Sequence, residues 1–511
     1  MMRKLFFIPV LVCGLVVFAE SPRTQRTVAP TSNKQLLVVV DGLRPDYVTP
    51  DVMPNLYAIG QRGVVFNNHH SVFPTVTRVN ASSITTGAYP ERHGLLGNSV
   101  FFPQVDPARF LSTGERENLV KINEAVGGKL LTVPTLSEIL QANGKKLLAV
   151  SSGTTGVGLL LNYKIAGGAI LQTEFGFPEA LYQQSLKELG PPPPAANPND
   201  ARNRRATDAF LKIGIKAVDP AITLMWLSDP DTTAHSLGIG HPTTVEALRR
   251  VDGELKHIQD GLAALGLLDS YDIWVTSDHG FATHTGAIDL QALLKPFAGT
   301  LADGSPRIVT GEGAVYVRDG NRQTVGQIVG LLQKTAGVGA IFTKADKPGS
   351  LLGWVEGTLS LDAARWSHER SADILFSPDW TDNKNQYGFA GTSASNGTAG
   401  HGTSSPFEIH NTLMAVGPDL RQRAVVSTSS GNVDFAPTFL RLLGIAIPSS
   451  MQGRILREAF NAGSDPLPTA GQPLQQTAKT ADGSFSQTAF FSIVRMGGVD
   501  YRYLDYTKVT R

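Results

Sequence analysis

Leu36-Leu37-Val38-Val39-Val40-Asp41-Gly42 is the stretch from which the fold is read. Five consecutive apolar residues, three of them β-branched, match a strand buried on both faces of a parallel sheet rather than the alternation of a half-exposed strand. The run ends in a carboxylate and a glycine. Open α/β sheets form their binding crevices at the carboxyl ends of their strands. Asp41 is therefore a candidate site residue, although by itself it reads equally well as a solvated turn aspartate.

Two more runs repeat the pattern. Ile222 to Leu227 empties into Ser228-Asp229-Pro230-Asp231-Thr232-Thr233-Ala234-His235, and Asp272 to Thr276 into Ser277-Asp278-His279-Gly280. One acidic strand end is unremarkable; three in one chain, two of them with a histidine, are a much stronger signal. Helical patterns lie between the strands at 53–62, 133–142 and 200–218. The clearest is Val245, Leu248, Val251, Leu255, Ile258, Leu262 and Leu265, spaced by threes and fours and stopped by Gly266. Further strands are expected at 64–66, 146–150 and 410–418, and a further helix at 433–443. The alternation predicts an α/β fold, a central and mostly parallel sheet flanked by helices.

A catalytic domain is expected over 36–460, after a flexible lead-in at 20–35. Residues 285–395 are less regular and read as an insertion or cap on the substrate side. A low-complexity linker is expected at 461–480, and a β-hairpin about Gly497-Gly498, packed on the catalytic domain, at 481–511. Among 511 residues, 41% are apolar and 17% charged, which suits a large buried core and argues against disorder. A net charge of +1 without a long basic run leaves no electrostatic footprint for nucleic acid.

The amino terminus reads as a signal peptide over 1–19. Arg3 and Lys4 precede an apolar run from Leu5 to Phe18, and Val17-Phe18-Ala19 offers small residues at a cleavage spacing. An uncleaved anchor is the competing reading; after cleavage no membrane span would remain. The only cysteine, Cys13, lies inside this segment. An exported protein without disulfides fits a bacterial periplasm or extracellular space better than an animal ectodomain.

The chemistry centres on Phe73-Pro74-Thr75-Val76-Thr77-Arg78-Val79-Asn80, which runs on to Thr86-Gly87-Ala88-Tyr89-Pro90-Glu91-Arg92-His93-Gly94. Thr77 precedes a short helix pattern ending at Gly87. A hydroxyl there faces unpaired N–H groups and a partial positive charge, which favour an alkoxide and a phosphate. The plain alternative is a helix cap. Asn80, three residues on, is placed to donate its amide to a phosphate oxygen. Asp41, Asp231, His235, Asp278, His279 and His401 form a set of oxygen and imidazole donors without thiolate, which suits Zn²⁺ and is compatible with Mn²⁺ or Fe. That many ligands, with Thr77, exceed one tetrahedral site and fit two cations about 4 Å apart sharing a substrate. His69, His70, His241, His284 and His410 read as ordinary surface or core histidines, and His93 as a loop-shaping one.

These motifs, in this order and spacing, resemble the alkaline phosphatase superfamily in its type I phosphodiesterase/nucleotide pyrophosphatase branch. Gly400-His401-Gly402 completes the set. The resemblance implies one zinc on Asp231, His235 and His401, and a second on Asp41, Asp278 and His279 with Thr77 as nucleophilic ligand. It places Asn80 on a phosphate oxygen, and it implies attack by Thr77 followed by hydrolysis of a phospho-threonine. The substrate would be a small phosphodiester or phosphoanhydride. Arg78 departs from the family's nucleotide-handling members, in which an aromatic residue follows the nucleophile. A guanidinium there would favour an additional phosphate oxygen or a carboxylate. A phosphomonoesterase with the same metals is the alternative activity, with a phosphonate hydrolase or a non-catalytic binding protein behind it. A sulfatase is disfavoured, because no Cys/Ser-x-Pro/Ala-x-Arg motif supplies its nucleophile.

Overall fold

A computed structural model describes residues 33–511 apart from 287, 462, 464 and 465. The expected signal peptide and nearly all of the lead-in lie outside the described residues.

The central sheet is built from β1 (Lys34–Val40), β2 (Val64–His70), β3 (Leu147–Ser151), β4 (Ala169–Gln172), β5 (Gly176–Phe177), β6 (Ile222–Leu227), β7 (Tyr271–Thr276), β8 (His410–Val416), β9 (Ala424–Val426) and β10 (Ser430–Gly431). Its order is β9-β2-β8-β7-β1-β6-β3-β4-β5, with β10 also on β2. β1 pairs in parallel with β6 and β7, and β3 in parallel with β4 and β6. β8 runs antiparallel between β7 and β2. The continuous apolar run of β1 has a simple cause: Leu37 and Val39 enter one core layer while Leu36, Val38 and Val40 enter the other. Each such side chain contributes roughly 1.5–3 kcal/mol by leaving water.

Helices cover both faces. On one side lie α1 (Pro54–Arg62) and the long α4 (Pro242–Ala264), which follows α3 (Asp231–Leu237). On the other lie α2 (Thr77–Thr86) and α5 (Phe435–Leu442), with Ile84, Phe435 and Phe439 in the layer beneath Leu37.

Residues 308–378 form a separate five-stranded sheet covered by a helix at Arg322–Lys334. A second small sheet joins Ala282–His284, Trp380–Lys384, Ala390–Ser393 and Ala399–Gly400, and its last strand delivers His401. The carboxyl-terminal region is more than a hairpin. β11 (Leu474–Lys479) pairs along its full length with β12 (Ser486–Met496), which pairs with β13 (Val499–Thr510). The expected linker at 461–480 is thus partly sheet. β11 is an edge strand whose Gln475 and Lys479 face solvent, so its composition reads as low complexity. Val494 and Tyr503 of this sheet pack against Val72, Val79 and Val433, and Phe491 packs against Phe342 and Trp366 of the insertion. Among the described residues no helix is long and apolar enough to cross a membrane.

Candidate active site

Three parallel strands place carboxylates at one end of the sheet. Asp41 follows β1, Asp231 opens α3 after β6, and Asp278 follows β7. The Asp231 N–H donates to Asp41 O at 3.0 Å, which joins two of these ends directly. Gly42, at φ 74°, permits this approach: a Cβ there would lie 3.2 Å from the Asp231 side chain and 3.1 Å from the Phe281 ring.

The structure gathers the candidate ligands into two triads. In Asp41, Asp278 and His279, and again in Asp231, His235 and His401, one ligand atom from each residue lies within 4.8 Å of the others. His279 Nε2 is 3.0 Å from Asp278 Oδ2 and 3.6 Å from Asp41 Oδ1. Asp231 Oδ1 is 3.2 Å from His235 Nε2 and 3.3 Å from His401 Nε2. The rings of His279 and His401 stack at 3.5 Å, so the triads adjoin.

Three observations fit these groups to cations. First, Asp41 Oδ1, Asp231 Oδ1 and Asp278 Oδ2 are buried without a hydrogen bond, an arrangement that is costly unless something positive meets it. The other oxygens of Asp41 and Asp278 are tied down, by Trp226 Nε1 at 2.8 Å and by Gly42 N at 3.1 Å. Second, each histidine faces a backbone carbonyl through Nδ1: His235 that of Ala399 (3.0 Å), His279 that of Gly280 (2.9 Å) and His401 that of Thr75 (2.7 Å). A carbonyl only accepts, so Nδ1 carries the proton and Nε2 presents a lone pair. Third, the carboxylates crowd one another. Burial, then Asp278 and Asp231, push the Asp41 carboxyl well above its usual range. Burial, then the neighbouring His279, push His401 down to about 4.

Thr77 is the first residue of α2, 3% exposed, with Oγ1 3.4 Å from His279 Nε2. The hydroxyl thus lies at a helix amino terminus beside the Asp41 triad. Arg78 is half-buried. Its guanidinium has no hydrogen bond or ion pair among the described residues, and its Nε is sealed from solvent. The strongest opposite charges acting on it are those of Asp41 and Glu312.

Asn80 is not at the site. Its Oδ1 accepts from Val72 N (2.8 Å) and Asn432 Nδ2 (3.0 Å), and its Nδ2 donates to the carbonyls of Val72 and Val76. The side chain is wholly buried and holds the turn before Thr77; no donor is left for a phosphate. Asn98 has the position that Asn80 was expected to fill. It lines the site cavity, its Oδ1 accepts from Arg78 N at 3.0 Å, and Nδ2 has no partner among the described residues. The sequence signal for it was slight, a Gly-Asn-Ser step at 97–99 just past the His93-Gly94 motif.

A cavity of about 320 Å³ opens from His235 and His401 towards the insertion, walled by Leu96, Phe110, Tyr316 and Trp366. Glu312, on the turn between Ile308–Gly311 and Ala314–Val317, reaches into it. Its carboxylate lies against the Asn98 loop, with Oε2 3.0 Å from where a Cβ on Gly97 would stand, and burial raises its pKa against the opposing pull of Ser99, Arg78 and the Asn98 backbone.

The model of the type I phosphodiesterase/nucleotide pyrophosphatase family matches residues 35–380. The chain belongs to this family. Among curated relatives, bovine bis(5′-adenosyl)-triphosphatase ENPP4 is 29% identical over 286 residues, covering 53% of each chain. Human ectonucleotide pyrophosphatase/phosphodiesterase family member 1 is 27% identical over 256 residues, 48% of this chain and 23% of that one. The matches thus span about half of ENPP4 and about a quarter of the human protein. Among solved structures, human ENPP5 superposes with a TM-score of 0.59 at 19% identity, over 84% of this chain and all of that one. Murine ENPP5, in an inactive form with one threonine replaced by alanine and in complex with AMP, gives 0.57 at 19% identity, covering 81% of this chain and 96% of that one. These likenesses establish the fold. His401 lies beyond the stretch matched by the family model, yet it completes the second triad.

Proposed function

We propose that this member of the family hydrolyses small phosphodiesters or phosphoanhydrides, with Thr77 as nucleophile and the two triads as the sites of two divalent cations, zinc by donor type. One observation carries the reading: a buried threonine hydroxyl at a helix amino terminus adjoins two triads whose carboxylates each keep an oxygen unsatisfied. When bound, the cations supply Lewis acidity, which makes an alcohol of very high pKa nucleophilic at neutral pH.

The protein's own groups do the rest. Thr77 Oγ1 forms the bond to phosphorus while the bond to the leaving oxygen breaks. Water then hydrolyses the phospho-threonine and restores the hydroxyl. The positive end of α2 and the free Nδ2 of Asn98 stabilise the non-bridging oxygens as charge develops on them. The cavity walled by Phe110, Tyr316 and Trp366 takes the second substituent of a diester. In this reading residues 1–19 direct export, and the enzyme works outside the cytoplasm.

Arg78 favours a second reading, a phosphomonoesterase, because an unpaired guanidinium beside the nucleophile suits an additional anionic oxygen. Rates on bis-p-nitrophenyl phosphate, thymidine 5′-monophosphate p-nitrophenyl ester and p-nitrophenyl phosphate, measured side by side with zinc, separate the two. Faster turnover of both diesters upholds the first reading. A wide advantage for the monoester replaces it with the second.

A further inference from the structure

Away from the catalytic centre, one more cluster is built in the same way. His70 closes β2 and His410 opens β8. The two are directly opposed in the antiparallel pair, with ring centres 4.6 Å apart. Asp505, from β13 of the carboxyl-terminal sheet, places Oδ1 2.8 Å from His70 Nε2. One ligand atom from each of the three lies within 4.8 Å of the others, the same bound that holds for each catalytic triad.

The surrounding hydrogen bonds repeat the catalytic pattern too. His70 Nδ1 is 2.9 Å from the Ser430 carbonyl, which can only accept. Nδ1 therefore carries the proton, and the neutral ring turns a lone pair at Nε2 towards the Asp505 carboxylate. Two electron-rich atoms at that distance need a positive charge between them, either a second proton on the ring or a cation. The Ser492 hydroxyl donates to the Asp505 carboxylate, with its oxygens at 2.9 and 3.0 Å, and fixes its orientation. A ligating histidine held by a carbonyl and a ligating carboxylate held by a hydroxyl form the usual outer shell of a metal. His410 is the third donor that a cation would use. An ion pair between His70 and Asp505 gives it no role, yet its ring nitrogens have no hydrogen-bond partner among the described residues. Its position and Asp505 are both half-buried, so an ion can reach them.

We propose that His70, His410 and Asp505 form a third divalent-cation site, which pins the carboxyl-terminal sheet to the central one. Two imidazoles and one carboxylate are the donor set of Asp231, His235 and His401, so zinc is the matching ion here as well. The site joins β2, β8 and β13, and its role is to hold these elements together.

The test is zinc-edge anomalous diffraction from zinc-saturated crystals of the whole protein, together with zinc content per chain after dialysis. A peak among His70, His410 and Asp505 is expected, and it does not depend on whether the catalytic triads fill. His410→Ala and Asp505→Asn should each hold one zinc fewer than the wild type. Turnover of bis-p-nitrophenyl phosphate should stay within about twofold, while the zinc-dependent rise in unfolding midpoint shrinks. If Asp505→Asn fails to fold, His410→Gln carries the test, because the His410 side chain makes no hydrogen bond among the described residues. No peak at the cluster, or zinc content unchanged in the His410 variants, overturns the proposal and leaves a plain hydrogen bond between His70 and Asp505.

Discussion

The backbone N–H of Arg78 donates to Asn98 Oδ1 at 3.0 Å, which ties the residue after Thr77 to a side chain twenty positions further on. With the oxygen so occupied, only Nδ2 is left to meet an anion. Asn98→Asp keeps an acceptor for Arg78 N but removes the donor. It should lower kcat/KM by about 10²-fold, the usual cost of removing one oxyanion donor. Steady-state kinetics on bis-p-nitrophenyl phosphate, with the unfolding midpoint as a control for the fold, measure this. Near wild-type activity in Asn98→Asp would remove Asn98 from the anion site.

Thr77→Ala should reduce turnover by roughly 10⁴-fold or more, as loss of a covalent nucleophile does, while the fold stays intact. Thr77→Ser keeps the hydroxyl and should retain measurable activity. Wild-type enzyme acid-quenched during turnover of bis-p-nitrophenyl phosphate should carry a p-nitrophenyl phosphoryl group on Thr77 by peptide mass spectrometry. A Thr77→Ala protein that still turns over refutes a covalent mechanism.

Arg78 leads to a statement about selectivity. Its guanidinium has no hydrogen bond or ion pair among the described residues, so Arg78→Ala should cost little stability. A charge-assisted hydrogen bond to substrate would be missed most by a dianionic monoester. The ratio of monoester to diester kcat/KM should fall by at least about tenfold. An unchanged ratio would mean that the arginine does not contact substrate.

Stability has a pH dependence that arises far from the catalytic site. Burial pushes the Asp272 carboxyl, at the start of β7, up to about 8, with Asp419 beside it adding to the shift. The folded protein thus keeps a proton that the unfolded chain gives up near pH 4. This contribution is fully present below pH 4 and is lost as the pH rises towards 8. Asp419→Asn replaces a like charge with an amide. Its advantage over the wild type in urea unfolding should grow across that window, to about 1 kcal/mol or more. A constant difference across the window would refute this account of Asp272.

The parts of the protein that could be read from sequence are those where one physical demand fixes the residue type. β1, β6 and β7 must be apolar throughout because both faces are covered, and the carboxylates ending them stand out for that reason. His401 was legible through the glycines around it. Asn80 misled because helical spacing from Thr77 says which face a residue shares but not what its side chain bonds; two backbone carbonyls take its amide. Asn98 lies in a loop without periodicity, so nothing local singled it out. The same holds for Glu312, whose contact with the Asn98 loop depends on how an insertion folds back over the site. β11 was missed because an edge strand with one wet face has the composition of a linker.

β2 leads directly to the Thr77 turn, yet its partners in the described sheet, β8, β9 and β10, all begin at residue 410 or later. β1, β6 and β7, by contrast, can pair once residue 276 has been made. On a growing chain, which folds from its amino terminus, the carboxylate-bearing strands assemble while the threonine-bearing one still waits for a neighbour. The strand that leads to Thr77 is therefore completed only when the last fifth of the chain emerges.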